Sequence, residues 1–244
     1  MQIPRLRGVI ERRVLVNYRL DPRVAERALP APFRPMLHDG AAMAGICLIR
    51  LGRVRPEGVC DWVGLRSENA AHRFAVTFET AGRPQSGVYV PRRDTDSRLN
   101  RWAGGRIFPG EQNLADFDCR EEGDTYRIAL ESRDGKTQLS VAGTLAKALP
   151  KTSVFSSLDE ASRFFESGSL GYSATGEPGV YHGLELACDG WRVEALDVQE
   201  VYSSYFENSP EFPEGSVVFD HALLMRDIQH EWVGHPDLCC AAAR

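Results

Sequence analysis

Lysine is nearly missing from this chain. Lys136, Lys147 and Lys151 are the only three among 29 basic residues, so almost every cation is a planar guanidinium that stays charged at physiological pH. Chemistry that needs a side-chain amine therefore has three candidates. The six cysteines form no CxxC pair and no regular spacing, which excludes a disulfide framework or zinc ribbon and points to reduced thiols in a cytoplasmic protein. Nothing at the amino terminus resembles a signal peptide. The longest apolar run, Ala41 to Ile49, falls far short of the ~20 residues of a spanning helix. A net charge of −5 argues against nucleic acid or an anionic membrane as partner. Repeats, low-complexity linkers and long charge blocks are missing too, so one domain over residues 1–244 is the simplest organisation, with the tail after about residue 233 expected to fray. The nucleophile-elbow, dinucleotide and phosphate-loop signatures do not occur. His230, His235, Cys239 and Cys240 have metal-like chemistry, but their spacing suits no usual zinc site, and neither metal nor cofactor is expected.

What is present reads mostly as β-structure. Val9 to Leu20, Ala42 to Val54 and His72 to Thr80 carry the β-branched and aromatic residues of buried or half-buried strands. Leu114 to Cys119, Tyr126 to Glu131 and Gln138 to Gly143 form a meander, joined at Glu122-Gly123 and Asp134-Gly135, where glycine suits a positive φ. Tyr181 to Ala187, Trp191 to Val198 and Val201 to Phe206 complete the strands, while Val217 to Trp232 fits either a strand or a helix. Asp21-Pro22 starts a short helix, and Ser157-Leu158-Asp159-Glu160 has capping-box spacing before a second. Such a chain is mainly β with a few short helices. It lacks the helix between successive strands that a doubly wound sheet requires, so the strands are expected to close into an antiparallel barrel.

The densest mix of polar and turn residues runs from Ser86 to Phe117. Val88-Tyr89-Val90 reads as a strand cut off by Pro91, followed by a loop of the kind that carries function on a rigid scaffold. Ser67-Glu68-Asn69, Gly87-Val88-Tyr89-Val90, Asp94-Thr95-Asp96-Ser97-Arg98-Leu99-Asn100 and Gly104-Gly105-Arg106-Ile107-Phe108-Pro109-Gly110, in that order, resemble the uncharacterised DUF2071 branch of the acetoacetate decarboxylase-like superfamily. Phe164-Phe165-Glu166-Ser167-Gly168, Gly171-Tyr172-Ser173, Gly183-Leu184-Glu185-Leu186 and Ser203-Ser204-Tyr205-Phe206 extend the likeness from Arg12 to Trp232. The resemblance implies a cone-shaped antiparallel β-barrel with a central cavity. In the decarboxylases a lysine condenses with a keto acid to give a Schiff base. Here Gly105-Arg106 and Pro109 can be laid on the motif, but Gly110 and Glu111 stand where the lysine pair belongs, so the amine is missing.

The resemblance makes Arg106, at the family's Gly-Arg position, the first candidate to hold a substrate anion, and Glu68 the first candidate acid or base. Arg73, Arg93, Asp94, Asp96 and Glu111 supply further charge near the same stretch, with Tyr172 and Ser204 as polar liners. A surface salt-bridge network is the competing reading of the charged residues, and strand packing that of the rest. His221 beside Asp220 is read as a packed histidine, because alternation along a strand sends neighbours to opposite faces. The expected ligand is a small carboxylate or keto compound, handled by a lyase-type or proton-transfer reaction without the Schiff-base lysine. The alternative is a binding module without chemistry. A homo-oligomer is left open.

Overall fold

The computed structural model describes residues 5–80 and 82–240. In chain order the elements are β1 (Leu6–Leu20), α1 (Pro22–Ala28), β2 (Arg34–Pro35), β3 (Leu37–His38), β4 (Ala41–Pro56), a 3-10 turn (Asp61–Val63), β5 (Leu65–Thr80), β6 (Arg83–Thr95), α2 (Arg98–Ala103), β7 (Gln112–Glu122), β8 (Thr125–Ser132), β9 (Gln138–Ala146), α3 (Leu158–Glu166), β10 (Leu170–Ala174), β11 (Val180–Cys188), β12 (Glu194–Ser203), α4 (Ser204–Glu207) and β13 (Val217–Cys239). The short helices begin where local chemistry dictates. Asp21 accepts from the Arg23 amide at 2.7 Å ahead of Pro22, and Ser157 accepts from the Glu160 amide at 3.2 Å, each satisfying a free first-turn donor.

The strands pair into one sheet that closes on itself twice. One circuit runs β6-β7-β8-β9-β12-β13-β1-β4-β5 and returns to β6; the other runs from β6 through β10 and β11 to β13 and shares the wall β13-β1-β4-β5-β6. Pairing is antiparallel apart from β6 with β7 and with β10, which are parallel. The shared wall is consequently buried on both faces. Val14, Val16, Ile46, Leu48 and Val76 pack toward Ile128, Leu139 and Leu196 of the larger circuit. Leu15, Met43, Cys47, Ile49, Leu223 and Met225 pack the other way, against Phe155 and Phe165 around α3. Strands covered on both sides carry near-continuous apolar runs, which is the look of Ala42 to Val54.

Three expectations are corrected. Val217 to Trp232 is strand throughout and continues to Cys239, paired with β11 through Tyr181↔Leu238 and Val180↔Cys239, so residues 233–239 are held rather than frayed, and the last four residues of that expected tail lie outside the described residues. The strand expected to reach Phe206 stops at Ser203, where α4 begins. Pro91 does not end β6. His72 pairs with Arg92 and Phe74 with Tyr89, leaving Arg73 opposite both Val90 and Pro91 in a bulge, where a proline without an N–H is tolerated. Among the described residues no helix is long and apolar enough to cross a membrane.

Candidate functional site

The bulge at Pro91 decides which arginine of the Arg92-Arg93 pair enters the smaller circuit. Val88 and Val90 face that side, and simple alternation would send Arg92 after them. The extra residue inverts the parity, so Arg93 follows instead, while Arg92 turns to the other face and grips Asp94 at 2.7 and 3.0 Å and Asp134 at 3.0 and 3.1 Å.

Between the shared wall, β10, β11 and the α2 segment lies a cavity of about 390 Å³. Its walls are apolar in the main, from Ile49, Leu51, Val88, Val90, Leu184 and Leu186. Arg13 from β1, Arg73 from β5 and Arg93 from β6 break that surface, with Cys47 from β4. Arg55, partly exposed, also lines it and donates to the carbonyls of Arg53 and Val59 at 2.9 and 3.0 Å. Among the described residues lining it there is no Asp, Glu, His or Lys.

Among the described residues the three inner cations have no carboxylate partner. Arg13 donates from Nε to Cys47 Sγ at 3.2 Å and lies 5.5 Å from the Trp191 ring centroid. Arg73 donates from Nη2 to Asn17 Oδ1 at 2.7 Å and stacks 4.9 Å from the Phe165 ring centroid. Arg93 donates from Nη2 to Ser173 Oγ at 3.3 Å. The Nε groups of Arg73 and Arg93 are buried and unpartnered. Burial holds each of these two guanidiniums down to about 10, with the charge of Arg13 adding to the effect at Arg73 and nearby Cys47 opposing it at both. Both remain cations at neutral pH. An isolated buried charge is expensive unless something of opposite sign meets it, and the described residues lining the cavity supply nothing of that sign.

Asn17 is itself fixed from behind. Its amide nitrogen donates to Leu15 O at 3.1 Å and to His221 Nε2 at 3.1 Å, which leaves Oδ1 for Arg73. His221 then donates from Nδ1 to Asp220 Oδ2 at 2.6 Å. Burial lowers the histidine's pKa against the pull of Asp220, consistent with the neutral tautomer that accepts from Asn17. His221 is packed, as expected, against Phe155 and Phe165, but the expectation that Asp220 faces away from it is corrected. Asn17 pairs with His221 and Tyr18 with Phe219, so Asp220 is the extra residue of a second bulge, and the alternation that would separate it from His221 fails there.

Of the residues singled out from sequence, Arg73 and Arg93 line the cavity. Glu68 stands between two lining residues, Ser67 and Asn69, and alternation turns it to the opposite face. There it meets Arg12 at 2.6 Å and Arg50, and both arginines also reach Glu121, at 2.8 and 2.6 Å. Arg106 is exposed and donates to the Trp102 carbonyl at 2.8 Å, while the next three residues, Ile107, Phe108 and Pro109, line the cavity. Glu111 is exposed beside the lining residue Gln112. Asp94 is buried against Arg92 on the far face; burial raises its pKa and the arginine opposes the rise. Tyr172 packs among Phe33 and Phe78, and Ser204 accepts from the Gln138 amide at 2.9 Å. Arg13 was missed altogether. The signal for it is Arg12-Arg13 inside an apolar, doubly buried strand: adjacent charges there must enter opposite cores.

Asn100, Ser67, Asn69 and Thr95 satisfy one another along one wall, with the Asn100 amide donating to the other three at 3.1 to 3.3 Å. This network ties α2 to β5. Leu99, Trp102 and Ala103 of α2 thereby border the cavity.

Comparison with solved structures places the fold. The chain is similar to an acetoacetate decarboxylase from Legionella pneumophila, with TM-score 0.65 and 12% identity over 98% of this chain and 88% of that one. It is similar to the enduracididine biosynthesis enzyme MppR complexed with pyruvate, with TM-score 0.62 and 11% identity over 98% and 91%. An acetoacetate decarboxylase-like enzyme from Sphingomonas wittichii gives 0.58 and 10% over 98% and 93%. At such identities the likeness establishes the acetoacetate decarboxylase-like fold and does not extend to chemistry. No curated protein matches the chain. A family model, DUF2071, described as an uncharacterized conserved protein, matches residues 9–209.

Proposed function

The chain belongs to the DUF2071 family of uncharacterized conserved proteins, and from that footing we propose that its cavity binds a small carboxylate or oxo acid, with Arg13, Arg73 and Arg93 as the anchoring cations. One observation carries this reading: the buried guanidiniums of Arg13 and Arg73 and the half-buried one of Arg93 line a cavity in which the described lining residues include no acidic side chain. A carboxylate placed about 4 Å from one of them gains roughly 4 kcal/mol at an effective dielectric of 20. Bidentate pairing with a guanidinium adds orientation. The anion-holding role expected of Arg106 passes to these three, because Arg106 is exposed and outside the cavity.

The same lining favours binding over the lyase-type reaction. A Schiff base needs an amine and proton transfer needs a group that titrates near neutrality, and the described lining residues include neither lysine, histidine nor carboxylate. Cys47 is the one thiol among the described lining residues. The test is calorimetric titration with pyruvate and, in parallel, with its uncharged amide. Binding of the acid, weakened by Arg73→Met and indifferent to Arg106→Ala, is the expected outcome. Equal binding of acid and amide, or loss on Arg106→Ala alone, would refute it. Borohydride treatment in the presence of pyruvate should leave Lys136, Lys147 and Lys151 unmodified.

A further inference from the structure

We infer that the ligand is an amphipathic carboxylate, its head on the arginines and an aliphatic tail running out along the cavity, rather than a compact oxo acid of a few atoms. This rests on the carboxylate reading above and adds the chemical class of the rest of the molecule. The cavity's 390 Å³ could hold about a dozen groups the size of water at ~30 Å³ each, whereas pyruvate has six heavy atoms. Volumes of this order belong to ligands of drug-like size.

The polarity is graded along the cavity. Arg13 and Arg73 are 8% and 5% exposed, and with Arg93 they form the inner, cationic end. Leu65, Leu99 and Trp102 also line the cavity but are 49%, 49% and 55% exposed, so they mark its opening. Between the two lie Ile49, Leu51, Val88, Val90 and Leu186, all buried. The polar groups on the wall at Ser67, Asn69 and Asn100 bond to one another, which leaves Ser169 and Gln112, whose Oε1 is buried and unpartnered, as the polar points a tail would pass. Trp62 and Val63, 87% and 47% exposed, stand just before Leu65 in the chain and extend the apolar character outward. A small oxo acid would leave this passage as wetted apolar surface; an alkyl chain would dry it.

The experiment is a calorimetric series of acetate, butanoate, hexanoate and octanoate on the full chain, with octanol and octylamine as controls. Each buried methylene should tighten binding about fourfold, so the series should climb steeply until the tail reaches Leu99 and Trp102, and Leu99→Ser should flatten its upper end. A series that binds without dependence on length overturns the amphipathic ligand and leaves the carboxylate reading intact. Octanol or octylamine binding as well as octanoate overturns the carboxylate reading itself, and no binding by any member overturns both. If Arg55→Gln abolishes octanoate binding while Arg73→Met does not, the inward orientation of the head is wrong.

Discussion

Replacing Arg73 with methionine removes a buried cation while keeping an unbranched apolar stem, and the anion-site account expects an unusual pairing of effects. Arg73 is 5% exposed. Burial, reinforced by the charge of Arg13, draws its pKa well below the ordinary arginine value to about 10, which at 1.36 kcal/mol per pH unit corresponds to about 3 kcal/mol lost from the folded state. Because the folded value lies below the unfolded one, that penalty is present in full below about pH 10 and is relieved only as pH rises into the range where the unfolded arginine itself titrates. Methionine lifts it at neutral pH. Two losses oppose the gain. Asn17 Oδ1 loses its donor, costing about 1–3 kcal/mol, and the contact with the Phe165 ring goes with it, worth up to about 2 kcal/mol when desolvated. The net change in the unliganded protein should fall within about 2 kcal/mol of zero. Removing one partner of a compensated buried ion pair would instead cost about 3–5 kcal/mol. Binding should respond in the opposite sense, since losing a charge-assisted hydrogen bond of about 1.5–3 kcal/mol weakens a carboxylate roughly tenfold or more. Urea denaturation with and without butanoate reads both effects. At a hundred times its dissociation constant the ligand should stabilise the wild type by about 2.7 kcal/mol and the variant far less. A variant that loses about 3–5 kcal/mol without ligand, yet keeps the butanoate effect, would refute the reasoning.

Burial pulls His72 down to about 3, with Arg92 contributing, so the folded state resists a proton that the unfolded chain accepts at 6.5. Stability should therefore fall as pH drops from 6.5 toward 3, and His72→Phe should remove about 1.4 kcal/mol per pH unit of that slope, as denaturation at pH 7, 6, 5 and 4 will read; an unchanged slope would contradict it. Gly110 has φ +77° and a Cβ there would stand 2.9 Å from Ser173 Oγ and 3.1 Å from Arg93 Nε. Gly110→Ala should therefore destabilise by roughly 1–2 kcal/mol from strain and weaken butanoate binding by displacing Arg93, checked by the same titration. Cys47 shares the cavity with the arginines while Cys60 is exposed; mass-mapped alkylation should show the iodoacetate-to-iodoacetamide ratio higher at Cys47 than at Cys60, and equal ratios would count against a cationic cavity.

Much of the architecture was legible because its signals are local. Asp21-Pro22, Ser157 and the two glycine turns of the meander each act within a few residues, and the runs around β1 and β4 declare burial on both faces. The site was less legible because it depends on parity over long strands. Glu68 was chosen where Ser67 and Asn69 face inward, Arg106 where Ile107 does, and Glu111 where Gln112 does, so the right segments were found one residue out of phase. Parity in turn depends on bulges. Neither the one at Pro91, which exchanges Arg92 for Arg93, nor the one at Asp220, which joins a neighbouring acid to His221, has a local signature strong enough to place it. Arg73 reaches the cavity because β5 keeps regular alternation from Ser67 through Ala75 on that face.

The account stands or falls on where a carboxylate sits. A crystal of the protein grown with butanoate should show the carboxylate oxygens about 2.7–2.9 Å from the nitrogens of Arg73 and Arg93, the separation of charge-assisted bonds, with the alkyl chain pointing toward Leu99 and Trp102. Butanoate ordered at Arg106 or elsewhere on the surface, with the inner arginines bonded only to water, would contradict it.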